Sequence, residues 1–156
     1  MSADPFKPPD SDISIDEVLP PRPVLGITAG FLVDTGGTIA GSFIVMLVYG
    51  IVLGATGGTA ADIERFVANY DPYSLIGFIL VFVGLAMSYL AGYVCARVSR
   101  ARDLKYPAVL ATISFVTGTL AGWDEEHIVM LLLLGVVGFV AILIGARRQI
   151  LKRRLK

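Results

Sequence analysis

PVLGITAGFLVDTGGTIAGSFIVMLVYGIVLG, residues 23–54, decides how the rest of the chain is read. It is one apolar run with a single charge, Asp34, inside it. A bilayer core of about 30 Å takes roughly 20 helical residues at 1.5 Å each. The run therefore reads as a membrane-spanning helix longer than the hydrocarbon, one that tilts, kinks or extends beyond it. Gly36-Gly37, directly after Asp34-Thr35, is a place where such a helix loosens.

Three further stretches carry no charge at all: 75–96, 106–123 and 128–146. Each has the length of one span. With 55% hydrophobic and 17% charged residues, the 156-residue chain is too apolar for an ordinary soluble domain. The expectation is an all-α integral membrane protein, a four-helix transmembrane bundle over residues 23–146 with Gly-rich helix interfaces. Its spans are about 24–54, 75–96, 106–123 and 128–146. A Pro-rich tail, residues 1–22, precedes it and a basic tail, 147–156, follows it. The first is too polar and proline-rich to bury a core and reads as disordered.

Charge placement gives direction. Formal net charge is zero, yet twelve of the thirteen basic residues fall in the leader, in 97–105 and in 147–156, leaving Arg65 alone in the other loops. By the positive-inside rule both termini are cytoplasmic. The leader is acidic and the first apolar run is far longer than a signal's apolar core, so no cleaved signal is expected. Residues 147–156 are placed to touch anionic lipid headgroups. One cysteine, Cys95, excludes an intrachain disulfide framework and reads as a packed thiol.

Small residues mark the helix faces. At 100° per residue Gly26, Gly30, Asp34, Gly37 and Gly41 fall within an arc of about 80°. In lipid, packing replaces the hydrophobic drive, and such stripes let helices approach closely. Gly77, Gly84, Ser88, Gly92 and Cys95 form a second stripe, expected to meet the first helix. Ala108, Ala111, Thr112, Gly118, Thr119 and Gly122 form a third. The fourth span, greasy all round, is expected to have the most lipid contact. Between the first two spans, Thr59 and Asp62 make a capping pair, and Ile63, Phe66, Val67 and Tyr70 give an amphipathic period for a short interfacial helix ended by Asp71-Pro72. Residues 123–127 form a short outer turn with Trp123 at headgroup level.

Asp34 is the candidate functional residue, for ion or proton coupling. A carboxylate near a span's centre costs roughly 2.5–3.5 kcal/mol on insertion scales, so it is expected to find partners. Ser88, Tyr89, Thr112 and Ser114 are donors at comparable depth. The bland alternative is a structural hydrogen bond within the bundle. Asp34-Thr35-Gly36 also matches the Asp-Thr-Gly of aspartic proteases, but that chemistry needs two carboxylates sharing a proton, and this chain supplies one at membrane depth. Asp124, Glu125, Glu126 and His127 match no metal-ligand spacing and read as a solvated turn. No catalytic residue, metal or cofactor is expected. The basic stretches abut apolar spans and lack interleaved aromatics, which favours lipid over nucleic acid.

Two resemblances add context. Asp4-Pro5-Phe6-Lys7-Pro8-Pro9 resembles the Asn-Pro-Tyr-x-x-Pro type leader of many small bacterial membrane proteins, with Asp for Asn and Phe for Tyr. That implies the bacterial inner membrane and no activity. Four spans with one acid in the first are similar in layout to the small multidrug resistance transporters, which couple substrate and proton at such an acid as antiparallel dimers. The strong charge bias, the long outer loop and the leader are foreign to that family. The sequence favours a non-enzymatic accessory, structural or regulatory membrane component acting through helix–helix contacts with itself or a membrane-protein partner. The alternative is a small oligomeric proton- or cation-coupled transporter or channel using Asp34.

Overall fold

The computed structural model describes residues 20–68, 74–122 and 128–155. Most of the Pro-rich leader, the stop at Asp71-Pro72 and the 123–127 turn lie outside them, as do the side chains of Phe66 and Val67. Every regular element among the described residues is a helix: α1 (Pro23–Ala55), α2 (Ala60–Ala68), α3 (Leu75–Val98), α4 (Lys105–Ala121) and α5 (Ile128–Arg154). α1, α3 and α5 are each long and apolar enough to cross a membrane. With 17 residues, α4 stands at the short end of what spans a bilayer.

Local signals explain the element ends. Pro23 opens α1, where its fixed φ suits a helix and its missing N–H costs nothing. α1 then runs 33 residues without interruption, straight through Gly36-Gly37. At α3 the Ser74 hydroxyl accepts from the Gly77 amide at 3.1 Å. Ser99 ends that helix, its hydroxyl and amide both donating to the Cys95 carbonyl at 2.6 and 2.9 Å. Arg100 follows in the left-handed region (φ 54°), and the Arg22 amide donates to the Ser99 carbonyl, tying the start of α1 to the end of α3. At α2 the Thr59 amide and hydroxyl both donate to the same Asp62 oxygen at 2.8 Å.

The long helices pack through glycines, and the pairs give the directions. A side chain at Gly26 would meet Ser99, one at Gly30 would meet Cys95 and Leu110, one at Gly37 Met87, and one at Gly41 Val83. Rising numbers on α1 meet falling numbers on α3, so these helices are antiparallel. α4 and α5 form a second antiparallel pair, with Gly122 against Leu131 and Gly135 against Phe115. α3 and α5 run parallel and come closest of all. At Gly92 an added Cβ would strike the Ile142 backbone, and at Gly145 the Tyr89 backbone. A buried cluster of Ala91, Cys95, Leu110, Ala111 and Ile142 forms at this crossing, and a second cluster of Ala96, Ala101, Ala146 and Ile150 lies toward the basic end.

Three expectations change. The small face of α3 is shared: Gly92 serves α5, while Gly84, Ser88 and Cys95 face α1. α5 is not lipid-facing all round, because Ile142, Gly145, Ala146, Gln149 and Ile150 are buried on one stripe. Its uniform apolarity hid that stripe, since in lipid the buried and exposed faces carry the same residue types. Gly118 packs against nothing within 4 Å.

Gly92→Ala and Gly145→Ala are expected to destabilise the protein by about 1–3 kcal/mol or more, since the obstacle is backbone and cannot rotate away. Gly36→Ala, with open space at its Cβ, is expected to be neutral or to stabilise by about 0.5–1 kcal/mol. Thermal unfolding in detergent compares the three. The Thr59 donors hold the exposed Asp62 carboxyl below its ordinary 3.8. This cap is therefore present above pH 3.8 and is lost as pH falls through the lowered value. An NMR titration of the Thr59 amide will show its signal moving in that acid range, and Asp62→Asn will abolish the movement.

Candidate functional site: an acid-floored cavity between the helices

Asp34 sits eleven residues into α1, about 16 Å along the axis from Pro23. Ser88 of α3 donates its hydroxyl proton to Asp34 Oδ1 at 2.7 Å, across two half-buried side chains. Among the described residues this is the carboxyl group's hydrogen-bond partner; its second oxygen has none. The pair lines a cavity of about 430 Å³ bounded by α1, α3, α4 and α5. That volume lies in the range of small-molecule sites, roughly 300–1,000 Å³.

The cavity exists because the helices diverge above a tight floor. Leu110 packs over Gly30, and Gly92 on Ile142, so the basic end is filled. α1 keeps contact with α3 farther up, through Gly37, Thr38 and Gly41, while α5 stays with α4 through Gly135 and Phe115. Between those two pairs the space widens. Phe31, Leu85, Phe115, Leu134 and Phe139 give apolar walls. Polar groups enter from Thr35 and Thr38 on α1 and from Ser114, Thr117 and Thr119 on α4.

The α4 hydroxyls divide into two kinds. Thr112, Thr117 and Thr119 return theirs to carbonyls four residues back, at 3.0, 2.8 and 2.8 Å. That is the usual economy of hydroxyls on apolar helices. Ser114 does not, and its Oγ is fully enclosed with no hydrogen-bond partner. Such orphans are rare in folded proteins.

Of the four donors named from sequence, Ser88 and Ser114 join Asp34 at this cavity and two do not. Tyr89 lies on the other side of α3, where its phenol oxygen accepts from Arg148 Nη1 at 3.0 Å. That bond holds the exposed Arg148 guanidinium above its ordinary value. Thr112 is exposed and bonded to Ala108 of its own helix. Of the eight glycines named for packing, Gly26, Gly30, Gly37, Gly41 and Gly92 sit where a side chain would press on a neighbour. Gly77 is buried, Gly84 touches Thr38 ordinarily, and Gly118 lines the cavity. Sequence reasoning missed Gly135 and Gly145; a contact map of α5 against the glycine positions is the signal that finds them. No group of three or more His, Cys, Asp or Glu able to hold a metal occurs among the described residues.

A second pair of enclosed polar atoms without partners, Arg100 Nη1 and Gln149 Oε1, lies next in sequence to Ala101 and Ile150 of the buried cluster at the basic end. Comparison with known proteins finds no matching family model, no matching curated protein and no matching solved structure.

Ser88→Ala is expected to cost about 1–3 kcal/mol by leaving the half-buried carboxyl without its donor. Asp34→Asn keeps an oxygen that accepts from Ser88 and is expected to change stability by less. If Ser88→Ala and the double variant Ser88→Ala/Asp34→Asn unfold at the wild-type temperature, the bond contributes nothing.

Proposed function

We propose that this chain is a four-span integral membrane protein of a bacterial inner membrane, with both termini cytoplasmic. It works as a non-enzymatic regulatory or accessory component, and the Asp34 cavity is where it senses its ligand. Three long apolar helices and the shorter α4, packed antiparallel on α5, support four spans. Arg22, Arg97, Arg100, Arg102, Lys105 and Arg147 all lie at one end of the helices, which supports the orientation.

The observation that carries the functional reading is the shape of the cavity. It holds an acid and an unsatisfied hydroxyl, and the contacts of Leu110 with Gly30 and of Gly92 with Ile142 fill the helix bundle below it. A single chain of this form retains what it binds. A passage through it is blocked by packed side chains, and occupancy is transmitted through α1, which carries the leader, and through α3.

The second reading, an oligomeric proton- or cation-coupled transporter, draws on the cavity's flank. There the lining residues Ile39 and Gly118 are exposed, so a second copy has room to complete a pathway.

Proton flux in proteoliposomes separates the two. Equal background leak from wild type and Asp34→Asn is expected. Flux that the substitution removes, with the fold intact, moves the assignment to the transporter. For topology, single cysteines at Ser11 and Thr59 in a Cys95→Ala background are treated with a membrane-impermeant maleimide. Thr59→Cys is expected to label on intact cells, and Ser11→Cys after permeabilisation alone; the reverse pattern inverts the orientation.

A further inference from the structure

The four long helices form a ring with one weak side. α1 packs along α3, α3 along α5, and α5 along α4. α4 meets α1 near Leu110, over Gly30, at the basic end. Above that contact the cavity walls on this side are exposed residues: Thr35 and Ile39 from α1, Thr117, Gly118 and Ala121 from α4. The mouth therefore opens on the flank of the bundle, at the level of Asp34 and beyond. In a membrane that flank borders the acyl chains, so what enters is dissolved in the bilayer and is mainly apolar.

The polar groups inside select the head of such a molecule. Asp34 offers one carboxyl oxygen without a protein partner. Ser114 offers a hydroxyl that both donates and accepts and that makes no bond. A ligand hydroxyl answers both. It donates to a carboxylate or accepts from a carboxylic acid, and with its remaining capacity it pairs with Ser114. An ammonium head has no lone pair for the Ser114 proton. A carboxylate head brings a second acid beside Asp34. A pure hydrocarbon leaves both groups unsatisfied.

We infer that the cavity between α1 and α4 binds a neutral membrane-dissolved alcohol, an apolar chain or ring system bearing a hydroxyl, which enters from the bilayer and hydrogen-bonds Asp34 and Ser114. This inference deepens the sensing reading of the same cavity and rests on it.

Gly118 supplies the means of testing it. It lines the cavity, and a Cβ there meets nothing within 4 Å. Gly118→Leu therefore fills the space without disturbing a helix contact, and it removes a residue unfavourable to helix. The full chain is reconstituted in phosphatidylcholine vesicles with hexadecanol carrying a mid-chain diazirine and a terminal alkyne. Irradiation and peptide mass spectrometry then map the label.

The label is expected on residues 31–39 and 114–121, displaced by plain hexadecanol and not by hexadecane or hexadecylamine. Gly118→Leu, checked for wild-type helicity and thermal stability, is expected to lower labelling at least about tenfold. Ser114→Ala is expected to weaken displacement by hexadecanol about fivefold, the worth of one hydrogen bond. Label spread over outward residues such as Phe43 and Phe82, and unchanged by Gly118→Leu, overturns the site. Displacement by hexadecylamine in place of hexadecanol overturns the alcohol and assigns a cationic ligand. Competition on the wild-type chain decides the ligand class without any variant. Because labelling reads the occupant and flux reads the role, the two can fail separately.

Discussion

The contact on which this architecture depends is the near touching of two backbones, α3 and α5, at Gly92 and Gly145. Helices in lipid gain nothing by hiding apolar side chains from apolar solvent, so their association rests on how closely they approach. Glycine at the crossing removes the side chains that would hold the axes apart. Ala91, Cys95 and Ala96 surround that crossing from α3 and Ile142 and Ala146 from α5, all at 0–1% exposure. α1 and α4 are then placed by the same centre, through Gly30 and Leu110. Everything at the basic end follows from this knot of small residues.

The far end follows from its absence. Once the glycines and alanines give way to Phe31, Leu85, Phe115 and Phe139, the helices separate, and the volume between them is what large side chains on diverging axes leave over. Asp34 stands at this boundary. On the packed side Ser88 satisfies one of its oxygens, while the other side is the cavity wall. The cost of a carboxyl at membrane depth is thus met in part by the protein. The part left unmet, together with the Ser114 hydroxyl, gives the space its chemical character.

Much of this was legible in the sequence, for identifiable reasons. The spans show as charge-free runs, because the bilayer penalises charge whatever the packing. The Thr59–Asp62 cap shows as a local spacing. Ser88 was legible as a donor because depth follows from counting residues at a fixed rise. Tyr89 and Thr112 have similar depth but the wrong azimuth, and azimuth depends on which neighbour a helix chooses. Choice of neighbour is what the sequence withholds: α5 reads as uniformly apolar, so nothing marks Gly145 as the residue that meets α3. The cavity was illegible for the same reason, being a property of four axes together.

Helix length has a consequence of a different kind. α1 has 33 residues and α4 has 17, so at the ordinary rise one measures about 50 Å and the other about 25 Å. A flat hydrocarbon slab of about 30 Å suits neither. The lipid annulus around this protein is therefore uneven, pinched beside α4 and stretched or crossed obliquely beside α1. Such a particle prefers company and locations that relieve the uneven boundary, at a fraction of a kcal/mol per ångström of mismatch. Bilayer thickness becomes a variable to which the protein's distribution responds, before any ligand is bound.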